Sequence, residues 1–299
     1  MPKNISAHLP GVLIVGGIGC YSVDVAANPQ DPYLRLSHDL SRAGFVVLRL
    51  EKSGVGDSEG PPCARVDMAS EIRGYRAALQ ALIADSRVDP ARVYLFGHSI
   101  GTLEAPMLTQ DERVAGVIAA EGVGRDWPEY EVRNLRRQLE LLGQSPSDVD
   151  AALVGKQTCL VRYLVEEQAE ADIERTEPDC RTHNSVYPVD AWYMRQVVQV
   201  PIAANWMRVT VPVLMIYGSS DFITERDDHE RIAALINARH SGMATFVPIE
   251  GMDHYLAREP TQKASLDAAN TGAPRTYDED LSKAVIDWIK QLLREPRNS

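Results

Sequence analysis

Three things are scarce in this chain of 299 residues: excess basic charge, long apolar runs and cysteine. Lys+Arg number 31 against Asp+Glu 42, a net charge of −11, which argues against phosphate-backbone binding and against an anionic membrane surface. No apolar run approaches the ~18 residues of a membrane span. The four cysteines (Cys20, Cys63, Cys159, Cys180) lack C-x-x-C spacing, so neither a zinc site nor a disulfide framework is signalled. The expectation is a reduced, cytoplasmic protein with Cys20 and Cys63 as independent buried thiols, although both fall in loops at strand ends. Lys3, an apolar stretch and Gly17-Ile18-Gly19-Cys20 resemble a secretory or lipoprotein signal in outline. Val12 to Val15 is too short for the ~7–15-residue apolar region such a signal needs. Internal repeats and low-complexity tracts are absent as well.

What is present is an alternation of short apolar runs with amphipathic segments. Val12 to Val15, Phe45 to Leu50, Val93 to Phe96, Val114 to Ala120, Val211 to Tyr217 and Ala244 to Ile249 read as strands. Helical spacing appears in Leu34, Leu36 and Leu40, with Gly44 as the stop. It recurs in Met68, Ile72, Tyr75, Leu79 and Leu82 behind the cap residue Asp67, and around Ile232, Leu235 and Ile236. Leu281, Val285, Trp288, Ile289 and Leu292 close the chain. This rhythm predicts a doubly wound, essentially all-parallel six-stranded α/β sheet. It breaks between Arg125 and about Arg208, where Leu135, Leu139 and Leu142, then Ser145-Pro146-Ser147, then Val161, Leu164 and Val165 mark helices. The predicted organisation is a core in two parts, 1–124 and 209–299, with a helical cap inserted at 125–208.

The chemistry centres on Gly97-His98-Ser99-Ile100-Gly101, set between an apolar strand and the helical series Ile100, Leu103, Met107. Strand, G-x-S-x-G, helix is the context of a nucleophile elbow. A chance G-x-S-x-G in a chain this long is roughly a one-in-ten event, so the partners must decide. Tyr217-Gly218-Ser219-Ser220-Asp221 puts a carboxylate just past the fifth strand, and Glu250-Gly251-Met252-Asp253-His254 a histidine just past the sixth. In a parallel sheet these ends share one edge, where such folds build sites. Taken singly, Asp221 suits a helix cap and His254 a satisfied loop histidine; their joint order after the right strands favours catalysis. Serine needs an imidazole to take its proton, and the imidazole needs a buried carboxylate to fix its tautomer. Glu121, after the fourth strand, is a rival acid, and Asp253 beside His254 should point elsewhere. The N–H groups of Ile100 and Ile18 are the expected oxyanion donors. Cys20, Tyr21, His98, Tyr193 and Met194 are candidates to line a substrate pocket, His98 more for packing than reaction. Trp127, Tyr130, Tyr163, Trp192 and Trp206 are read mainly as cap core.

With G-G-I-G at Gly16 to Gly19, S-G-V-G-D-S-E-G at Ser53 to Gly60, G-H-S-I-G, G-S-S-D and G-M-D-H, the chain resembles the α/β-hydrolase fold enzymes. Within them it is most similar to bacterial serine esterases and prolyl-oligopeptidase-like catalytic domains. The first loop departs from the family by opening Gly16-Gly17 in place of His-Gly. About eleven residues precede the first strand, so the family's two N-terminal strands have no room. The expectation is a six-stranded core, or a catalytic domain that once followed other sequence. The resemblance implies a serine hydrolase with no cofactor or metal. Its substrate would be a small to medium carboxylic ester, with thioester, amide, lactone or peptide cleavage or acyl transfer as variants of the same chemistry. The implied partner is a small acyl substrate, not nucleic acid or membrane, and a homodimer is left open. A dinucleotide-binding oxidoreductase is the competing class, since Gly17-Ile18-Gly19-Cys20-Tyr21-Ser22 nearly matches G-x-G-x-x-G. Ser22 replaces the third glycine, Glu51 stands too far on, and Asn28-Pro29 interrupts any helix. A catalytically dead binding protein would have no need of serine, aspartate and histidine together.

Overall fold

Each strand of the computed structural model, which describes residues 8–23, 28–183 and 187–294, is the apolar run read above with its ends shifted by a few residues. Lys3, the start of the signal-like stretch, lies outside the described residues. The strands are β1 (Leu9–Val15), β2 (Val46–Arg49), β3 (Val88–His98), β4 (Gly116–Ala120), β5 (Val213–Gly218) and β6 (Ala244–Ile249). They form one sheet in the order β2-β1-β3-β4-β5-β6, and every pairing is parallel. Successive side chains alternate between faces. Leu13, Val15, Leu95, Val117 and Met215 therefore fill one core, and Val12, Ile14, Phe96, Ile118 and Ile216 the other. Burial on both sides is why these runs show no polar alternation.

Helices α1 (Pro32–Arg42), α2 (Met68–Ala84) and α3 (Gly101–Leu108) come from the first half of the chain. Asp31 and Asp67 cap the first two by accepting from the N–H of Leu34 and Ser70. Between β4 and β5 the chain is helical: α4 (Trp127–Leu141), α5 (Pro146–Leu160), a π-helical turn at Val161–Val165, α6 (Glu170–Thr176), α7 (Cys180–His183), α8 (Ala191–Val198) and α9 (Ile202–Met207). Asp126 and Ser145 cap α4 and α5, each followed within two residues by a proline that suits a first turn. The insertion is fastened to the sheet's carboxyl edge. Asp190 N–H donates to Ala64 O, and Arg137 donates to the carbonyls of Phe222 and Ile223 just beyond Asp221. The rest is α10 (Arg226–Arg239), α11 (Gln262–Thr271) and α12 (Glu279–Arg294); α11 has no counterpart in the sequence reading.

The cysteines correct an expectation. Cys20 is bonded to Cys63 and Cys159 to Cys180, so none of the four is a free thiol. The loops after β1 and β2 are neighbours because those strands pair, which joins residues 43 apart in sequence. Cys159 ends α5 against the start of α7. Spacing along the chain carries no trace of either approach, and the reducing compartment inferred from that spacing loses its ground.

Candidate active site

Ser99 follows β3 in the left-handed region, with φ of 54°. A side chain held there is strained, and the turn around it is packed so closely that glycine is needed two residues to either side. A Cβ on Gly97 would stand 2.6 Å from the carbonyl oxygen of Gly101, and one on Gly101 would run into the carbonyl of Val15. Ser99 is further pinned by its N–H on Ala120 O and by Thr102, whose N–H and hydroxyl both donate to Ser99 O. Its hydroxyl is thereby presented at the carboxyl edge, two residues before α3 begins.

His254 Nε2 lies 3.0 Å from Ser99 Oγ, and His254 Nδ1 lies 3.0 Å from Asp221 Oδ2. Three residues from separate strand ends thus form one hydrogen-bonded relay. Asp221 is fully buried yet richly supplied with donors. Besides His254 it accepts from the N–H groups of Ile223 and Thr224, at 2.5 and 3.0 Å, and from the Thr224 hydroxyl. Burial pushes its carboxyl upward, but His254 and these hydrogen bonds outweigh that and hold it well below the usual carboxylate range. Thr224 was missed in the sequence; it carries no motif of its own. Asp253, as expected of a sequence neighbour, turns away from the relay and accepts from Ser265 Oγ and from the N–H of Tyr255 and Ala257.

His98 works from below. Burial, and then the charge of His254, push its imidazole down to about 3, so the ring is neutral at ordinary pH. Its Nε2 is 2.8 Å from the carbonyl of His254, an obligate acceptor, so Nε2 carries the hydrogen. Nδ1 then accepts from Tyr33 Oη at 2.6 Å, and Tyr33 Oη accepts the N–H of Gly17 at 2.8 Å. A single chain of hydrogen bonds therefore joins the loop after β1 to the backbone of His254.

That loop is held from several sides. Gly16 N–H donates to Tyr75 Oη (3.0 Å), while Gly17 O accepts from Tyr21 Oη and Lys52 Nζ, both at 2.9 Å. Lys52 is itself buried and paired with Glu71 at 2.7 Å. The amides of Gly16 and Gly17 are thus engaged, whereas those of Ile18 and Ile100 have no acceptor among the described residues. A Cβ on Gly17 would lie 3.5 Å from that of Ser99, so the loop runs directly beside that residue. Lys52, Glu71 and Tyr33 were not foreseen. The available signal was Glu71, an acid four residues before Tyr75 on a helix face otherwise apolar.

The pocket-lining candidates fare unevenly. Cys20 is exposed but bonded to Cys63, and its Sγ approaches Pro188 O of the insertion. Tyr21 stacks on Tyr33. Tyr193 and Met194 are almost wholly buried, with Tyr193 Oη directed at Glu71, because α8 packs on α2. They seat the insertion and do not line an open groove. Trp192, by contrast, is 51% exposed. Among the described residues no group of three His, Cys, Asp or Glu stands close enough to hold a metal ion. A dinucleotide site needs a helix opening at the glycines after β1, and here α1 begins only at Pro32.

This sheet order, elbow and edge define an α/β-hydrolase fold, and the chain belongs to the Serine aminopeptidase, S33 family, whose profile matches residues 29–261. Among curated proteins it is 27% identical over 229 residues to the esterase EstD of Thermotoga maritima, covering 76% of this chain and 50% of that one. It is 26% identical over 119 residues to the quorum-quenching protein AidA of Acinetobacter baumannii, covering 40% and 39%. The chain thus spans half or less of the length of these relatives. Similar solved structures include Est1E of Butyrivibrio proteoclasticus with ferulic acid bound (TM-score 0.61, 16% identity, 99% and 94% of the two chains). A monoacylglycerol lipase of Paleococcus ferrophilus follows (TM-score 0.55, 18% identity, 95% and 96%). At such identities these likenesses speak for the fold alone. No helix among the described residues is long and apolar enough to cross a membrane.

Proposed function

We propose that this protein is a serine hydrolase that cleaves a carboxylic ester of small to medium size through an acyl-enzyme. The observation that carries the reading is the relay Ser99–His254–Asp221 at the carboxyl edge of the sheet. In this reading His254 Nε2 takes the Ser99 proton as Oγ bonds to the ester carbonyl carbon. The negative charge that develops on the carbonyl oxygen is met by the amides of Ile18 and Ile100. Collapse breaks the bond to the alkoxy group, which leaves with the proton from His254. Water, deprotonated by the same imidazole, then attacks the acyl carbon and restores Ser99. Asp221 orients His254 and stabilises its imidazolium without itself taking the proton. The stretch 125–208 acts as a cap, and the acyl pocket lies between it and the sheet edge, with Cys20 and Tyr21 at its border.

Esters are preferred over amides and thioesters because the likeness to the esterase EstD leans that way; the fold itself does not choose. Ser99→Ala should lower hydrolysis of short p-nitrophenyl esters by at least ~10⁴-fold while the thermal melt stays in place. A fluorophosphonate probe should label wild type at Ser99 and spare the variant. Turnover retained by Ser99→Ala would remove Ser99 as nucleophile.

A further inference from the structure

A second acid stands behind the first. Glu121 follows β4 directly, at the same level as Ser99 after β3, since His98 and Ala120 are paired in register. It too has a positive φ, 51°, rare for a side chain of its size, and it is completely buried. The left-handed turn sends its carboxyl toward the end of β5, where Oε1 accepts the N–H of Gly218 at 2.6 Å. Gly218 O in turn accepts the N–H of Asp221, so Glu121 grips the turn that carries Asp221. Its other oxygen, Oε2, is buried with no N–H or hydroxyl donor in reach among the described residues. What Glu121 does have within hydrogen-bonding reach is the Asp221 carboxyl.

Two carboxyl groups in hydrogen-bond contact, both cut off from water, cannot both be ionised at acceptable cost, so one keeps a proton. The donor count decides which. Asp221 receives four hydrogen bonds, from His254, the Ile223 and Thr224 amides and the Thr224 hydroxyl; Glu121 receives one. We propose that Glu121 is a neutral carboxylic acid at working pH and a positioning residue for Asp221, with Oε2–H donating to the Asp221 carboxylate. Its surroundings agree. The groups facing it are Asp221, the more distant Asp253, and Tyr217 of β5, while the neighbouring His229 is neutral, with Nε2 accepting the N–H of Gly122. No cation pairs with Glu121 among the described residues, and burial followed by the charge of Asp221 drives its carboxyl well upward.

The consequence for catalysis rests on the serine-hydrolase reading; the position of the proton does not. A donor to Asp221 draws charge from it and weakens its hold on the His254 imidazolium, so free-base imidazole persists to lower pH. Glutamine reproduces both contacts, with its carbonyl on Gly218 N–H and its amide donating to Asp221. Methionine reproduces neither. In the pH profile of kcat/KM, Glu121→Met should move the acid limb upward by about half to one pH unit and lower kcat ~10-fold or more. Glu121→Gln should leave the limb where wild type has it. The overturning results are a Gln variant that shifts like Met, or a Met variant whose profile overlays wild type.

Infrared difference spectroscopy at neutral pH, wild type minus Glu121→Gln, should show the carbonyl band of a protonated carboxyl. A carboxylate pair of bands in its place refutes the proposal. This measurement stands if the Met variant does not fold, and it remains decisive if wild type hydrolyses no ester. In that event the serine-hydrolase reading fails by itself and the proton on Glu121 is still tested.

Discussion

The carboxyl edge of the sheet and the helical insertion are both rich in buried polar side chains, but they hold them differently. At the edge, buried groups grip backbone: Lys52 the carbonyl of Gly17, His98 the carbonyl of His254, and Glu121 the amide of Gly218. In the insertion they grip one another. Lys156 pairs with Glu131, which also accepts from Trp127 Nε1 and Tyr187 Oη, and Cys159–Cys180 ties α5 to α7. The difference is one of purpose. A site must fix main-chain amides and carbonyls to within fractions of an ångström, whereas the insertion's side chains need only hold its helices together.

The sharpest way to break that contrast is at Lys52. Lys52→Met leaves Glu71 buried without its cation and Gly17 O with the Tyr21 hydroxyl as its remaining donor. It should cost ~3–5 kcal/mol in a denaturant melt and slow kcat ~10–100-fold, short of the ~10²–10³ for losing an oxyanion donor outright. Lys52→Met with Glu71→Leu should recover most of the stability but not the rate. Recovery of both would mean that the pair serves stability alone.

The disulfides offer the next comparison, one in each region. Replacing Cys159 and Cys180 together by Ser should cost about 3 kcal/mol, the loop-closure figure for a separation of 21 residues. It should open the insertion to proteolysis while kcat changes little. Replacing Cys20 and Cys63 should cost about 4 kcal/mol by the same figure for 43 residues and should also lower kcat, because Cys20 adjoins the Gly16 to Gly19 loop. Equal losses of rate from the two pairs would erase the distinction.

The smallest effect concerns Glu104, wholly buried on α3 beside Glu71. Burial, then the charge of Glu71, raise its carboxyl well above the ordinary value. A carboxyl that holds its proton more tightly folded than unfolded favours folding at low pH and loses that advantage as pH climbs past the unfolded-chain value. Glu104→Gln removes the penalty. Its thermal midpoint should exceed that of wild type by a few degrees at pH 8 and by less at pH 5. A constant difference across that range would show that Glu104 is ionised in the native state.

The insertion was also the less legible region in the sequence. Its helix start at Ser145 was readable because capping is local chemistry. The seating of Tyr193 and Met194 on α2 was not, because a buried aromatic and a pocket-lining one look alike in one dimension. At the edge, Ser99, Asp221 and His254 were legible because each sits a fixed few residues past an apolar strand. Their supports were hidden. Tyr33 and Tyr75 occupied ordinary helical positions, and Lys52 passed for a loop lysine.

The sequence by itself settled where the six strands and the helices α1, α2, α3, α10 and α12 fall, the parallel connectivity, and the order in which the three relay residues reach one edge. Those features are written in short continuous apolar runs, in the helical period of 3.6, in caps and in turn glycines, all of which act within about a dozen residues. Only the tertiary structure decided which cysteines join, which way His98 faces, and how Glu121 meets Asp221. These contacts span separations from 21 residues for Cys159–Cys180 to 156 for His98–His254. A hydrogen bond or disulfide depends on distance in space, which the chain fixes only once the sheet has brought its strand ends together.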